Sequence, residues 1–414
     1  MSGYFLNQAI GTHWARIVQG ALLVLPNSVL PFIGPVPHMA WAALAAFSVA
    51  VYQPSIRKED WPFFLFAFGV ILNAALGVAV SGAWPQSLLV NNGFVGGLLL
   101  MAAYLTARTF NDTVWTIALV LIAVEAGAIY VQFASGVRFF FPAQEMVTAG
   151  TEFQFAQSVG NEDLWYRIRP QGFSISSTIA GAKMLLGILI AYMLPFSRRW
   201  RWGLIAFLLG ALALNFKRSG IVSVGAFAGI LFVLDIARCG WRPRHTATAA
   251  AAGLVATYGL STIIVQMTRD AADSVGDLSP SILIAQLSGR ADIWNETWAF
   301  IGQHLFFGNH STRFILLGGG YAHSSILTLL ATHGLFLAVL LLGFMASKIA
   351  RDARLLIVLV PLLIDSLFQE HIFWYISMMD FFVLYLLVKR GSSAAWSEPW
   401  PTATAQTRVV PQAA

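Results

Sequence analysis

The chain has 414 residues, of which 57% are hydrophobic and 11% charged, with a mean hydropathy of +0.70. No soluble core hides that much apolar surface, so lipid is the solvent for most of the chain and a domain count taken from length does not apply. The formal net charge is +6, but the basic residues sit in short clusters between apolar runs. That pattern signals membrane topology rather than nucleic-acid binding, and no nucleic-acid partner is expected.

Taken in chain order, apolar segments fall at about 15 to 33, 38 to 53, 61 to 81, 88 to 107, 114 to 134, 175 to 195, 200 to 216, 219 to 237, 246 to 266, 323 to 347, 353 to 368 and 372 to 388. They predict an all-α, polytopic membrane protein with about twelve (ten to twelve) transmembrane helices in a single domain over residues 1–390. The pairs near 15 to 53 and 353 to 388 are short enough to be re-entrant or tilted hairpins. No cleavage site in a polar stretch follows the first run, which is read as an uncleaved span. Cys239 is the single cysteine, so no intramolecular disulfide and no Cys-based metal or redox centre is expected.

Orientation follows from the basic clusters, because Lys and Arg in short loops stay cytoplasmic. Arg57 and Lys58, Arg108, Arg198, Arg199 and Arg201, Arg238, Arg242 and Arg244, Lys348, Arg351 and Arg354, and Lys389 and Arg390 all fall on one side under twelve spans. Both termini are then cytoplasmic, in a multi-pass protein of the bacterial inner membrane. The other side carries the two longest loops, about 135 to 174 and about 267 to 322, where acids and aromatics collect. Within the second, SPSILIAQLSGRADIWNETWAFIGQHLFFG has apolar residues at helical spacing and predicts one or two amphipathic helices on the membrane surface. Beyond Arg390 the Ala-, Thr-, Ser- and Pro-rich residues 391–414 read as a disordered cytoplasmic tail.

Several ionisable residues stand against this background. Glu125 and Lys183 lie inside apolar spans, where such groups are functional candidates and would also suit a transporter. Lys217 and Arg218, in LNFKRSGIV, sit at the outer face against the positive-inside tendency and call for an anionic partner. Lipid headgroups or an acid such as Asp292 would serve, as would a phosphate or diphosphate held by a guanidinium fork. Arg290 opens the predicted helix of LSGRADIWNETW, with Asp292 and Glu296 four residues apart on one of its faces. This helix reads either as a solvated surface element or as the source of a second cation for a diphosphate. His323 stands at the outer mouth of the tenth span, as a packed interfacial residue or as a base or donor to an anion. His333, deeper and followed by Gly334, suits interhelical hydrogen bonding. Glu370 and His371 cap the last outer turn. Metal-ligand spacing, a P-loop and a dinucleotide motif are absent from the sequence.

A long outer loop containing GRADIW, then Gly308 and Asn309, then AHSSILTLLATHGL entering a span, resembles the signature region of the O-antigen ligase and polymerase superfamily. NFKRSG upstream resembles that family's Ser-Arg-x-Gly-type turn. The resemblance covers approximately residues 172–345. It implies a membrane glycosyltransferase of GT-C-like architecture whose donor is an undecaprenyl-diphosphate-linked glycan and whose acceptor is a glycan or a lipid A core, with a protein acceptor as the third branch. Carried over, Arg218, Lys217 and Arg290 bind the donor diphosphate, Arg290 also acts in catalysis, and His323 assists the acceptor hydroxyl or the leaving group, with no metal and no cofactor. Two positions depart from the pattern: Ser324 stands where the family often has Asn, and Lys217 where it has Ser. Trp165, Tyr166, Trp294 and Trp298 are candidate sugar platforms or ordinary interfacial aromatics. The rival expectations are a secondary transporter and a non-enzymatic scaffold of an envelope assembly.

Overall fold

A computed structural model of the chain describes residues 2–27, 37–81, 93–135, 170–174, 176–215, 217–249, 290–316, 321–370, 372 and 376–390. Among them the chain is helical and contains no strand. In chain order the helices are α1 (Ser2–Val24), α2 (Pro37–Tyr52), α3 (Trp61–Ser81), α4 (Gly93–Thr109), α5 (Asp112–Ser135), α6 (Ser177–Met193), α7 (Arg198–Leu214), α8 (Arg218–Cys239), α9 (Arg290–Gln303), α10 (Ser325–Arg351), α11 (Leu356–Phe368) and α12 (Met378–Tyr385).

Four helical stretches are long and apolar enough by themselves to cross a membrane: Lys58–Val80, Asp112–Ser135, Ser219–Ala237 and Ser325–Arg351. Of the others, α4, α6, α11 and α12 are shorter than the spans expected for them, and local sequence explains some of the differences from expectation. α1 begins earlier than position 15 and gives way at Val24 to a 3-10 turn through Leu25–Asn27, because Pro26 cannot continue the ladder. α12 starts late, where Ser377 and Asp380 form a capping box. Such reciprocal side-chain bonds satisfy the orphan N–H groups of a first turn. The segment 250–266, the loops 136–169 and 267–289 and the tail 391–414 lie outside the described residues.

The bundle is held by aromatic packing and by hydrogen bonds between helices, the two forces that remain when lipid is as apolar as the side chains. Phe63 of α3 stacks on Tyr104 of α4 at 4.6 Å, and Phe344 of α10 lies 5.5 Å from Phe63. Trp115 of α5 meets Phe382 of α12 edge-on at 5.0 Å. The Gln19 amide of α1 donates to Ser48 Oγ of α2 at 2.9 Å and to Thr109 Oγ1 of α4 at 2.8 Å.

The reversals of the chain gather basic residues at one end. There Asp60 is a hub: it pairs with Arg108 and accepts from Tyr104 Oη at 2.6 Å and from the Arg57 N–H at 2.7 Å. Arg351 reaches Glu59 at 3.3 Å, and Arg354 pairs with Asp352 at 2.8 Å.

Glu125 of α5 and Lys183 of α6, singled out as intramembrane charges, pair with each other at 2.9 Å and are 2% and 0% exposed. Ser174 Oγ donates to the second Glu125 oxygen. Gln132, two turns along α5, accepts from the Gln171 and Gly172 N–H groups at 3.0 and 2.9 Å and donates to Gly172 O at 2.8 Å. Non-helical backbone survives between helices only when its polar groups are satisfied in this way. Because each charge depends on the other, Lys183→Met or Glu125→Leu alone is expected to cost about 3–5 kcal/mol, while the double apolar variant recovers most of that. Thermal unfolding of the detergent-purified variants measures this, and equal losses in single and double variants would contradict it.

Candidate functional site

At the end of the bundle away from the Asp60 hub, three sequence motifs converge on the last turn of α11. The first is the turn before α8. Lys217 is buried, and its ammonium lies 2.9 Å from the buried Asp365 carboxylate of α11. Burial lowers the pKa of this lysine from its ordinary value, and the Asp365 charge acts against that. Its described acid partner is Asp365. The close fit depends on Gly181 of α6, where a Cβ would stand 2.5 Å from the Lys217 and Asn215 side chains. Asn215 in turn donates to Pro170 O at 2.6 Å. Arg218 is the next residue and the first of α8, so the pair fixes its backbone beside the end of α11.

The second motif is α9, which Arg290 opens as expected. It buries Thr297 and Ile301 and leaves Trp298 exposed, the one-sided pattern its sequence predicts. About one turn after Arg290, the Trp294 indole N–H donates to Ala322 O at 2.9 Å, and its ring lies 6.3 Å from Phe368 at the end of α11. Trp294 is thus committed to packing rather than to a free sugar face. The side chains of Arg218, Arg290 and Asp292, like His371, Trp165 and Tyr166, lie outside what the structure describes.

The third motif leads into α10. His323 is exposed and adopts φ +49°, a left-handed conformation that costs a non-glycine residue stability. Its backbone N–H donates to Glu370 Oε1 at 3.2 Å. The same oxygen accepts from Thr328 Oγ1 at 2.7 Å, while the other Glu370 oxygen pairs with Arg313. The Arg313 guanidinium lies over the Tyr321 ring, 3.4 Å from its centroid. Ser324 caps α10 by accepting from the Leu327 N–H. Ser325 laces the helix to the α11 exit, donating through both N–H and Oγ to Gln369 O at 3.1 and 2.7 Å.

Below His323, α10 is not continuous. At Gly334 (φ +80°, ψ 171°) the helix breaks, and residues 305–311 cross the break. The Asn309 and Ser311 N–H groups donate to Ala331 O and Thr332 O at 2.7 and 2.8 Å, and the Leu335 N–H donates to Leu305 O at 2.7 Å. The carbonyls and amides that a broken helix exposes are thereby paired, as lipid requires. Asn73 of α3 seals the joint, its amide donating to Phe307 O at 2.9 Å and to Ser311 Oγ at 3.1 Å. His333 is buried with Nδ1 3.0 Å from Ser311 Oγ of this crossing segment, and its carbonyl accepts from the Asn73 amide of α3 at 3.4 Å.

Arg313, Thr328, Asp365 and Asn73 are the residues of this region that sequence reasoning misses. Arg313 carries a signal that was there to use: like Arg218 it is a cation in a segment that the basic clusters assign to the outer side. Among the described residues no group of three or more His, Cys, Asp or Glu is arranged to hold a metal. No family model matches the chain, and no curated protein matches it significantly.

Proposed function

We propose that the chain transfers a glycan from an undecaprenyl-diphosphate carrier to an acceptor hydroxyl at the end of the bundle where α8, α9, α10 and α11 meet. That end faces the periplasm in this reading, and the Asp60 end faces the cytoplasm. The observation that carries the proposal is the convergence itself: the turn holding Arg218, the helix opened by Arg290 and the residue His323 come from sequence positions far apart, yet all pack on Asp365, Phe368 and Glu370 at the exit of α11.

A polyprenyl diphosphate is already an activated leaving group, so the protein's task is to hold and orient. Arg218 and Arg290 grip the diphosphate oxygens with planar forks, which stabilises the charge that grows on the leaving oxygen. Lys217, sealed against Asp365, supports Arg218 from below. The acceptor oxygen attacks the anomeric carbon, the bond from that carbon to the diphosphate breaks, His323 takes the hydroxyl proton, and undecaprenyl diphosphate departs.

The product is a surface polysaccharide, made by joining repeat units or by moving finished chains to a lipid A core. Cells lacking the protein distinguish the two. Single repeat units accumulate on the carrier if it is a polymerase, and long chains accumulate on the carrier if it is a ligase. Glycans unchanged in every strain would refute the proposal and leave the carrier reading, in which a solute or anion moves through the bundle and Glu125 and Lys183 couple the movement. The sealing of that pair among Ser174 and its neighbours weighs against such a relay, which needs access from water.

A further inference from the structure

The contacts around Glu370 do more than close a surface. Glu370 accepts from Thr328 Oγ1, from the His323 N–H and from Arg313, so all three donors meet on one carboxylate. What it fixes is the backbone of His323, which stands in the left-handed region immediately before the capping residue of α10. A strained residue of this kind persists only where its surroundings over-determine it, and such residues cluster at working sites. Arg313 comes from the segment before α10 and Glu370 from the exit of α11, so the ion pair closes two chain segments around the base of His323 while the residue itself stays exposed. The Tyr321 ring under the guanidinium adds a second hold on Arg313.

We propose that Glu370 and Arg313 are positioning residues for the transfer reaction, holding His323 in its left-handed backbone so that its imidazole is presented to the acceptor; this rests on the glycan-transfer reading above. Glu370 touches neither donor nor acceptor. Its loss therefore misplaces His323 without weakening the grip on the diphosphate, and misplacement of a reacting group by about 1 Å costs on the order of 100-fold in rate.

The test is a cycle of single and double variants of the full chain, reconstituted with carrier-linked glycan extracted from cells. Glu370→Ala is expected to lower kcat about 100-fold with KM for the extracted donor changed less than about threefold. Glu370→Gln, which keeps an acceptor for Thr328 and the His323 N–H, is expected to lose only about tenfold, and it serves if the alanine variant fails to fold. In a His323→Ala chain, Glu370→Ala is expected to have no further effect on kcat. An equal loss in both backgrounds, or a loss confined to KM, overturns the positioning role.

A substrate-free measurement separates this inference from the reading beneath it. Glycine accepts φ +49° without steric cost, so His323→Gly is expected to raise the melting temperature of the native chain by about 2 °C and to leave that of the Glu370→Ala chain unchanged. Coupled melting in a protein that transfers no glycan supports the backbone hold and defeats glycan transfer. Glycan transfer with independent, multiplying losses defeats the positioning role and leaves the transfer reading standing.

Discussion

Arg218→Ala abolishes glycan transfer while the protein inserts and folds normally, and Arg290→Ala does the same: this is the largest functional effect we expect. The loss for each is about 100- to 1,000-fold in kcat, the scale seen when one preorganised donor to developing charge is removed. Arg218→Lys is expected to lose much of the activity as well, because an ammonium is a point charge and cannot reproduce two parallel N–H···O bonds. The fold is expected to tolerate these changes because a neighbour anchors each segment. Lys217 carries the buried bond to Asp365 beside Arg218, and Trp294 docks the helix that Arg290 opens. Transfer of extracted donor in reconstituted membranes, with expression confirmed, measures the effect. Full activity in both alanine variants would remove the diphosphate clamp.

The largest structural effect is expected at Gly334. A Cβ there would stand 2.2 Å from Phe306 O and 2.5 Å from the Phe306 carbonyl carbon, on a backbone with φ +80°. Both the space and the conformation exclude a side chain, and the obstacle is backbone, which has no rotamer to turn away. Gly334→Ala must therefore push out the crossing segment 305–311 and expose the paired groups of the break to lipid. A cost above about 4–5 kcal/mol is expected, enough to prevent recovery of a monodisperse protein from detergent. Gly343→Ala in the same helix is the control. No atom lies within 4 Å of a Cβ at that position, so it is expected to be neutral or to stabilise by up to about 1 kcal/mol through helix propensity. Recovery of Gly334→Ala with the native melting temperature would mean that the interlock at the break does not hold the fold.

Composition alone made the helical membrane class legible, and apolar runs located most helices to within a few residues, because burial in lipid demands uniform apolar stretches. The break in α10 was hidden for the same reason. Residues 323–347 read as one apolar run, and nothing in a run of Leu, Ala and Phe announces that its backbone is shared with a segment some twenty-five residues earlier. Glu125 and Lys183 were visible as isolated charges among apolar residues, but not that each was the other's partner across 58 positions. The same holds for Lys217 and Asp365, 148 positions apart, and for Arg313 and Glu370, 57 apart. Long-range pairs leave no local periodicity, whereas a cation in a segment assigned to the outer side does leave a signal, which is why Lys217, Arg218 and Arg290 stood out and Asp365 did not.

The Asp60 hub changes what the basic end of this protein presents to its surroundings. A chain with a sequence pI near 9.6 suggests a strongly cationic surface, yet Arg108 points its charge into Asp60, and Arg351 and Arg354 reach Glu59 and Asp352. In the finished fold those arginines are halves of dipoles with short reach. Arg198 and Arg199, by contrast, are exposed at the start of α7 beside the exposed Trp200. Retention on a cation exchanger should accordingly fall more for removal of Arg198 alone, or of Arg199 alone, than for removal of Arg108, although each is one formal charge in the sequence.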